Sequence, residues 1–137
     1  MEISPGIIAL PEKEVRALYR EFRSGGYRVY LLETGFNADR EAFFSAVQKT
    51  LPLDPPLVSS RSWEALSDSL WEGLVALAES KVVIAWPDAH RMMSVSPYDY
   101  EIAVSVMGDV ISSLCGPRSS GNPVTLAIYT ALGKESS

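Results

Sequence analysis

The chain has 137 residues, 47% of them hydrophobic and 21% charged, a composition that predicts one soluble globular domain, residues 1–137, with its own core. Its net charge of −5 argues against nucleic acid as a direct ligand and is compatible with a cationic protein partner. The only cysteine, Cys115, excludes an internal disulfide, and its neighbours Ile111 and Leu114 favour a packed helical thiol over a reactive one.

The first residues lack the pattern of a secretory signal. Glu2 stands where a signal peptide carries positive charge, and the apolar run at residues 6–10 (GIIAL) is short. No later run reaches the length that is needed to span a bilayer. We therefore expect a cytoplasmic protein that does not bind membranes.

The N-terminal part predicts an apolar segment followed by an amphipathic helix. Residues 6–10 are stopped by Pro11, and they fit either an edge strand or a packed arm. Pro11 and Glu12 then open a helix to Ser24. Its apolar residues recur with helical period and are Val15, Leu18, Tyr19 and Phe22. We interpret residues 1–26 as an N-terminal extension of the domain.

A strand, a helix and a proline-rich loop follow. Residues 27–33 (YRVYLLE) are rich in β-branched and aromatic side chains and predict a buried strand. Asn37 is the predicted N-cap of a helix over residues 39–51. Its inward residues are Ala42, Phe43, Val47 and Leu51. Residues 51–61 contain three prolines and predict a loop that is suited to making contacts.

The most informative stretch is residues 62–80 (SWEALSDSLWEGLVALAES), a predicted helix with Ser60 or Ser62 as its cap and Gly73 as a possible break. One face is apolar and consists of Trp63, Leu66, Leu70, Leu74 and Leu77. Another face carries three acids four residues apart, Glu64, Asp68 and Glu72. No Lys or Arg lies between Arg61 and Lys81, so these acids have no basic partner within the helix. This face is either simply solvated or available to a basic partner.

The last third predicts a strand, a loop, a helix and a strand. Residues 81–86 (KVVIAW) are apolar on both faces, which is typical of a central strand. Residues 87–96 predict a polar loop that exposes the only histidine, His90. Ser96 and Pro97 open a long helix that ends before Gly116, and residues 124–130 (VTLAIYT) predict a third strand. The predicted fold class is α/β, with a small three-stranded parallel sheet flanked by helices.

The sequence offers little for catalysis or for a cofactor. One His and one Cys without an elbow or a glycine-rich signature make a nucleophilic dyad improbable, and there is no phosphate-binding loop. Glu64 and Asp68 lack the other oxygen ligands of a cation site. We expect no enzyme activity, no cofactor and no metal.

Residues 62–70 (SWEALSDSL) resemble the Asn-Trp-Asp-Ala-Leu-x-Asp-Cys-Leu signature of the barstar family, which are intracellular inhibitors of microbial ribonucleases. The resemblance extends through residues 28–130 and implies a three-stranded parallel sheet with flanking helices. It also implies the family mechanism, in which acids occupy the place of substrate phosphate in a ribonuclease active site. By position Asp68 is the central acid and Glu64 its neighbour.

The resemblance gives a set of partner-binding residues. They are Glu64, Asp68, Glu72, Ser62, Ser67, Val58 and Asp109, the last of them near a further interface acid of the family. The implied partner is a basic extracellular-type ribonuclease or a related toxin, and we expect the free inhibitor to be a monomer.

The chain departs from the family before the acidic helix. Residues 57–62 (LVSSRS) replace an aromatic pair followed by Gly-x-Asn, and Arg61 adds a positive charge beside the acids. Ser67 stands where some members have a large aromatic residue. These changes leave an alternative open, which is a protein-binding module on the same scaffold that does not inhibit a nuclease.

Overall fold

The computed structural model describes residues 3–57, 62–115 and 123–131. These segments contain four strands and five helices. In chain order the elements are β1 Gly6–Leu10, α1 Glu12–Ser24, β2 Arg28–Leu31, α2 Arg40–Thr50, α3 Trp63–Ala76, β3 Lys81–Trp86, α4 Ala89–Val95, α5 Pro97–Cys115 and β4 Thr125–Ala131. The protein is therefore α/β, and its helices flank a parallel sheet.

The sheet has the strand order β1-β4-β3-β2, with every neighbouring pair parallel. The predicted number of three strands is wrong, because β1 is a fourth strand. It pairs with β4 from Gly6 opposite Ala127 to Leu10 opposite Ala131. Of the two alternatives for residues 6–10, the edge strand is confirmed. This segment and α1 therefore form part of the sheet and of its covering layer.

The central position of β3 is confirmed. Val82, Ile84 and Trp86 on one face are fully buried, and Val83 and Ala85 on the other are no more than 1% exposed. A strand with helices on both of its faces needs apolar side chains at every position, which explains the uninterrupted run in the sequence.

The two faces of the sheet are covered differently. Helices α2, α3, α4 and α5 pack on the face that carries Val82 and Ile84. Helix α1 covers the other face, where Phe22 packs with Val83 and Ala127. The connection from β1 to β2 crosses the sheet in one direction, and the connections from β2 to β3 and from β3 to β4 run in the opposite direction. All of these connections can be right-handed only if the helix of the first lies on one face of the sheet and the helices of the others lie on the opposite face.

Helix α4 was not expected from the sequence, which predicts a polar loop over residues 87–96. Asp88 precedes this helix but makes no side-chain cap to it. Its carboxylate instead accepts hydrogen bonds from the backbone N–H groups of Thr34, at 3.1 Å, and Gly35, at 2.9 Å. An aspartate before a helix usually caps it, but the carboxylate of Asp88 holds the loop after β2 instead. The sequence therefore gives no clear sign of where α4 starts.

Two predicted boundaries need correction. The N-cap of α2 is Asp39, not Asn37, and its Oδ1 accepts from the N–H of Ala42 at 2.8 Å. Strand β2 is shorter than residues 27–33, because only Arg28–Leu31 pair in register with β3.

Candidate protein-binding site

Helix α3 is held by the apolar stripe that the sequence predicts. Leu66, Leu70 and Leu74 are no more than 1% exposed. Trp63 is half-buried, and its ring lies against Phe43, at 5.6 Å between centroids, and Phe44, at 4.9 Å. The aromatic contacts fix the first turn and the leucines fix the rest, so the opposite face of α3 has a defined orientation.

Ser62 caps this helix. Its Oγ accepts a hydrogen bond from the N–H of Ala65 at 3.3 Å, which confirms one of the two predicted caps. The helix ends at Ala76, and Ala78, two residues later, has a φ of 59° in the left-handed region. Ser62 is exposed, so the structure gives this predicted partner-binding residue a capping role as well.

Gly73 does not break the helix, which continues from Trp63 to Ala76. Its missing side chain instead makes room for the loop before α3, because a Cβ on Gly73 would overlap the carbonyl oxygen of Pro52. One turn earlier on α3, the carbonyl of Ser69 accepts from the N–H of Asp54 at 3.0 Å. The loop therefore runs along α3 toward its N-terminus. Val58, a predicted partner-binding residue farther along this loop, lies outside the described residues.

The acidic face of α3 is exposed. Glu64, Asp68 and Glu72 all point to solvent, and in the described segments none of them forms an ion pair. Glu64 lies in the first turn, where the positive end of the helix dipole favours an acid. Asp68 and Glu72 have no such compensation. Packing would be satisfied without these three carboxylates, so their alignment is not required by the core.

A groove lies beside the acidic face, between α3 and α5, and sequence reasoning did not predict it. Its volume is about 500 Å³. Its lining residues are Ser67, Asp68, Trp71, Glu72, Val110 and Ser113. Trp71 is half-buried and forms part of the groove wall. The only indication of this groove in the sequence is the alternation of polar and apolar residues along α3. That pattern does not show which helix packs beside α3.

Three of the predicted site residues, Ser67, Asp68 and Glu72, come together in the wall of the groove between α3 and α5. Glu64 lies one turn before Asp68 on α3, and Ser62 is the N-cap of that helix. Ser67 lies on the side of α3 that faces α5. Asp109 is exposed on α5, and helical spacing places it about 40° from the groove residue Ser113. The carboxylates of Asp68 and Glu72 lie beside the indole ring of Trp71 in this groove. A cationic side chain could form ion pairs with the carboxylates and a cation–π contact with the ring.

A second polar cluster lies at the carboxyl ends of the strands. His90, predicted to be an exposed loop residue, is on α4 with its side chain 18% exposed, and its Nε2 lies 2.9 Å from Oε1 of Glu12. Arg16 joins Glu12 and Glu33, at 3.0 Å to each. The hydrogen bond from His90 is the main cause that lowers the pKa of Glu12, and Arg16 adds to it against an opposing effect of burial. This cluster links α1 to α4.

Cys115 is not the packed thiol that the sequence favours. It is exposed at the last residue of α5, with its Sγ 3.7 Å from the carbonyl oxygen of Val124. The apolar neighbours Ile111 and Leu114 are buried, but the helix turns Cys115 away from the core that they contact.

Residues 3–57, 62–115 and 123–131 contain no group of three or more His, Cys, Asp and Glu side chains that could hold a metal ion. None of the helices in these segments is long and apolar enough to cross a membrane. Comparison with protein families, with curated proteins and with solved structures found no match.

Proposed function

We propose that this protein is a barstar-like inhibitor that binds a basic ribonuclease or a related toxin in the cytoplasm, through the acidic face of α3 and the groove beside it. It has no catalytic role and uses no cofactor. The proposal rests on the resemblance of residues 62–70 to the barstar signature, and the coarse α/β architecture is compatible with it. The additional strand β1 is a departure from the three strands of the family.

The observation that carries the proposal is the row of exposed carboxylates on α3 that lack a basic partner among the described residues. Their mutual repulsion costs roughly 0.2–0.5 kcal/mol per pair at helical spacing. A ribonuclease active site contains cationic side chains that bind the substrate phosphate. Helix α3 presents Asp68 between Glu64 and Glu72, and this row of negative charge is complementary to such side chains.

The central acid tests the proposal directly. Asp68→Asn keeps the size of the side chain and removes its charge, so we expect loss of inhibition of a basic microbial ribonuclease. The expected loss of affinity is roughly 2–5 kcal/mol, the usual cost of removing one partner of a buried, hydrogen-bonded charge pair at an interface. The thermal midpoint should change little, because the substitution also relieves repulsion from Glu64 and Glu72.

A matched control is Glu14→Gln, which removes one exposed carboxylate from α1 on the opposite side of the sheet. This variant should inhibit like the unmodified chain. If Asp68→Asn also inhibits like the unmodified chain, Asp68 is not in the binding site.

If the unmodified chain binds no basic ribonuclease, the alternative of a binding module for another protein is favoured. The groove walled by Trp71 supports that alternative, because the groove is partly apolar. Acids that occupy the place of a substrate phosphate do not require an apolar groove beside them.

A further inference from the structure

Residues 52–57, the described part of the loop between α2 and α3, are held against α3 at two points. The carbonyl oxygen of Pro52 lies so close to Gly73 that no Cβ atom would fit there. One turn earlier on the helix, the carbonyl oxygen of Ser69 accepts a hydrogen bond of 3.0 Å from the N–H of Asp54. Leu57 is buried in the main core cluster. This loop therefore has a defined position on the helix.

The loop flanks the acidic face of α3 on the side away from α5. With about 100° per residue, Ser69 and Gly73 lie roughly 100° and 140° from Asp68 around the helix axis. Ser67 and Trp71, which line the groove beside α5, lie roughly 100° and 60° from Asp68 in the opposite direction. The exposed carboxylates of α3 therefore form a strip between two walls, one made by the groove and one made by the loop.

The loop side of this strip is exposed and stiff. Asp54, Pro55 and Pro56 are exposed, whereas Leu53 packs against the core. We call these three exposed residues the loop wall. Residues 52–56 include three prolines, whose rings fix the backbone φ angle. The loop wall therefore has little conformational freedom to lose when a partner binds.

We propose that Gly73 is a positioning residue of the partner-binding site and that it acts through the loop wall. This inference rests on the proposed function, because it concerns how the same site contacts the ribonuclease. Since Gly73 has no side chain, the loop backbone lies directly on α3, and the loop wall contacts the partner beside the strip of acids. A side chain at this position pushes the loop wall away from α3 and leaves every charge of the helix in place.

Positioning by Gly73 predicts different effects on the two binding rates. Long-range attraction depends on charge, which Gly73→Ala does not alter, so the association rate should stay within about twofold of the unmodified value. The dissociation rate depends on the contacts of the formed complex, and it should rise by about tenfold or more when the loop wall is displaced. A fraction of unfolded protein lowers the amount of active inhibitor and does not change the dissociation rate.

The test is stopped-flow kinetics of Gly73→Ala with a basic microbial ribonuclease, at a temperature at which the variant is fully folded. Val15→Ala is the control for lost stability, because Val15 is a fully buried residue of α1, on the opposite face of the sheet. Both rates of this control should match those of the unmodified chain. Asp54→Asn tests the loop wall itself, because the hydrogen bond to Ser69 uses the backbone N–H and is retained. This variant should weaken binding by about threefold or more.

Hydrogen exchange of the Asp54 amide provides a readout that needs no ribonuclease. This amide donates to Ser69, so it should exchange at least about ten times faster in Gly73→Ala than in the unmodified chain, because the loop is displaced. Equal exchange in the two proteins would overturn the positioning role. If Asp68→Asn weakens ribonuclease binding but Gly73→Ala and Asp54→Asn do not, the positioning role is wrong and the proposed function stands. If the unmodified chain binds no basic ribonuclease, both fail.

Discussion

Two glycines inside helices show how differently one residue type can be used. Gly73 of α3 is buried against the loop before that helix, where a Cβ would overlap the carbonyl oxygen of Pro52. Gly108 of α5 has open space at its Cβ position. Alanine is favoured over glycine in a helix by about 1 kcal/mol, so only the surroundings can make the two positions behave differently.

We expect Gly73→Ala to lower the free energy of unfolding by about 1–3 kcal/mol, because overlap with Pro52 exceeds the gain in helix propensity. Gly108→Ala should raise it by up to about 1 kcal/mol. Urea denaturation measures the free energy of unfolding of both variants. A stabilised Gly73→Ala variant would show that the loop does not lie tightly on α3.

The buried carboxylate of Asp88 explains one limit of sequence reasoning at this scale. A residue of this type before a short helix is normally expected to cap that helix. Here it holds Thr34 and Gly35, which are 54 and 53 positions away in the chain. A hydrogen bond between residues so far apart has no local signal, so neither α4 nor the partly buried position of His90 could be predicted.

At the scale of elements, the sequence was most informative where one segment contains its own pattern. The apolar run of residues 81–86 predicts the central strand β3. The apolar stripe of α3 predicts which side of that helix is buried, and therefore that its acidic face is exposed. The sequence of residues 6–10 does not decide between an edge strand and a packed arm, because the partner strand β4 is more than a hundred residues away in the chain. The groove beside α3 was missed for the same reason, since α5 forms one of its walls.

Helix α1 covers one face of the sheet, and Phe22 is the centre of this layer. The ring is 1% exposed and lies 5.0 Å from Tyr27 and 5.8 Å from Tyr129, measured between centroids. Phe22→Ala should therefore cost about 3–5 kcal/mol of unfolding free energy. Phe36→Ala is the control, because Phe36 is 77% exposed and loses mainly its contact with Arg91, worth about 1 kcal/mol or less. Equal effects of the two substitutions would mean that α1 is not a required cover.

The contact between Glu12 and His90 joins α1 to α4. We expect it to affect how the stability of the folded protein depends on pH in the acidic range. The pKa of Glu12 is lowered from its ordinary value of 4.5, mainly by the hydrogen bond from His90. A carboxyl group with a lowered pKa stabilises the folded state above its unfolded pKa, and that contribution disappears as pH falls through the folded value.

Glu12→Gln should therefore lower the thermal midpoint at pH 6 and have progressively less effect as the pH falls below about 4.5. Glu12 is partly exposed, so the difference at pH 6 should be small and should shrink with added salt. Glu14→Gln, on the same helix, serves as the control. A Glu12→Gln effect that stays constant from pH 6 to pH 3 would show that the contact with His90 does not depend on the charge of Glu12.

At the scale of the whole molecule, the net charge should make the binding of a basic partner depend on salt. The acidic face of α3 adds to a net charge of −5 and creates a field that attracts a basic partner. Screening by salt should weaken this attraction.

The association rate with a basic ribonuclease should accordingly fall steeply as ionic strength rises, while the dissociation rate should change much less, because long-range attraction acts before the contact forms. Stopped-flow or surface-based kinetics at several salt concentrations measure both rates. Asp68→Asn should show a shallower dependence than the unmodified chain, and Glu14→Gln, which leaves the α3 field intact, should follow the unmodified chain. An association rate that does not respond to salt would remove the main physical support for ribonuclease binding through the acidic face of α3. A binding module that uses the groove walled by Trp71 would then be the better description.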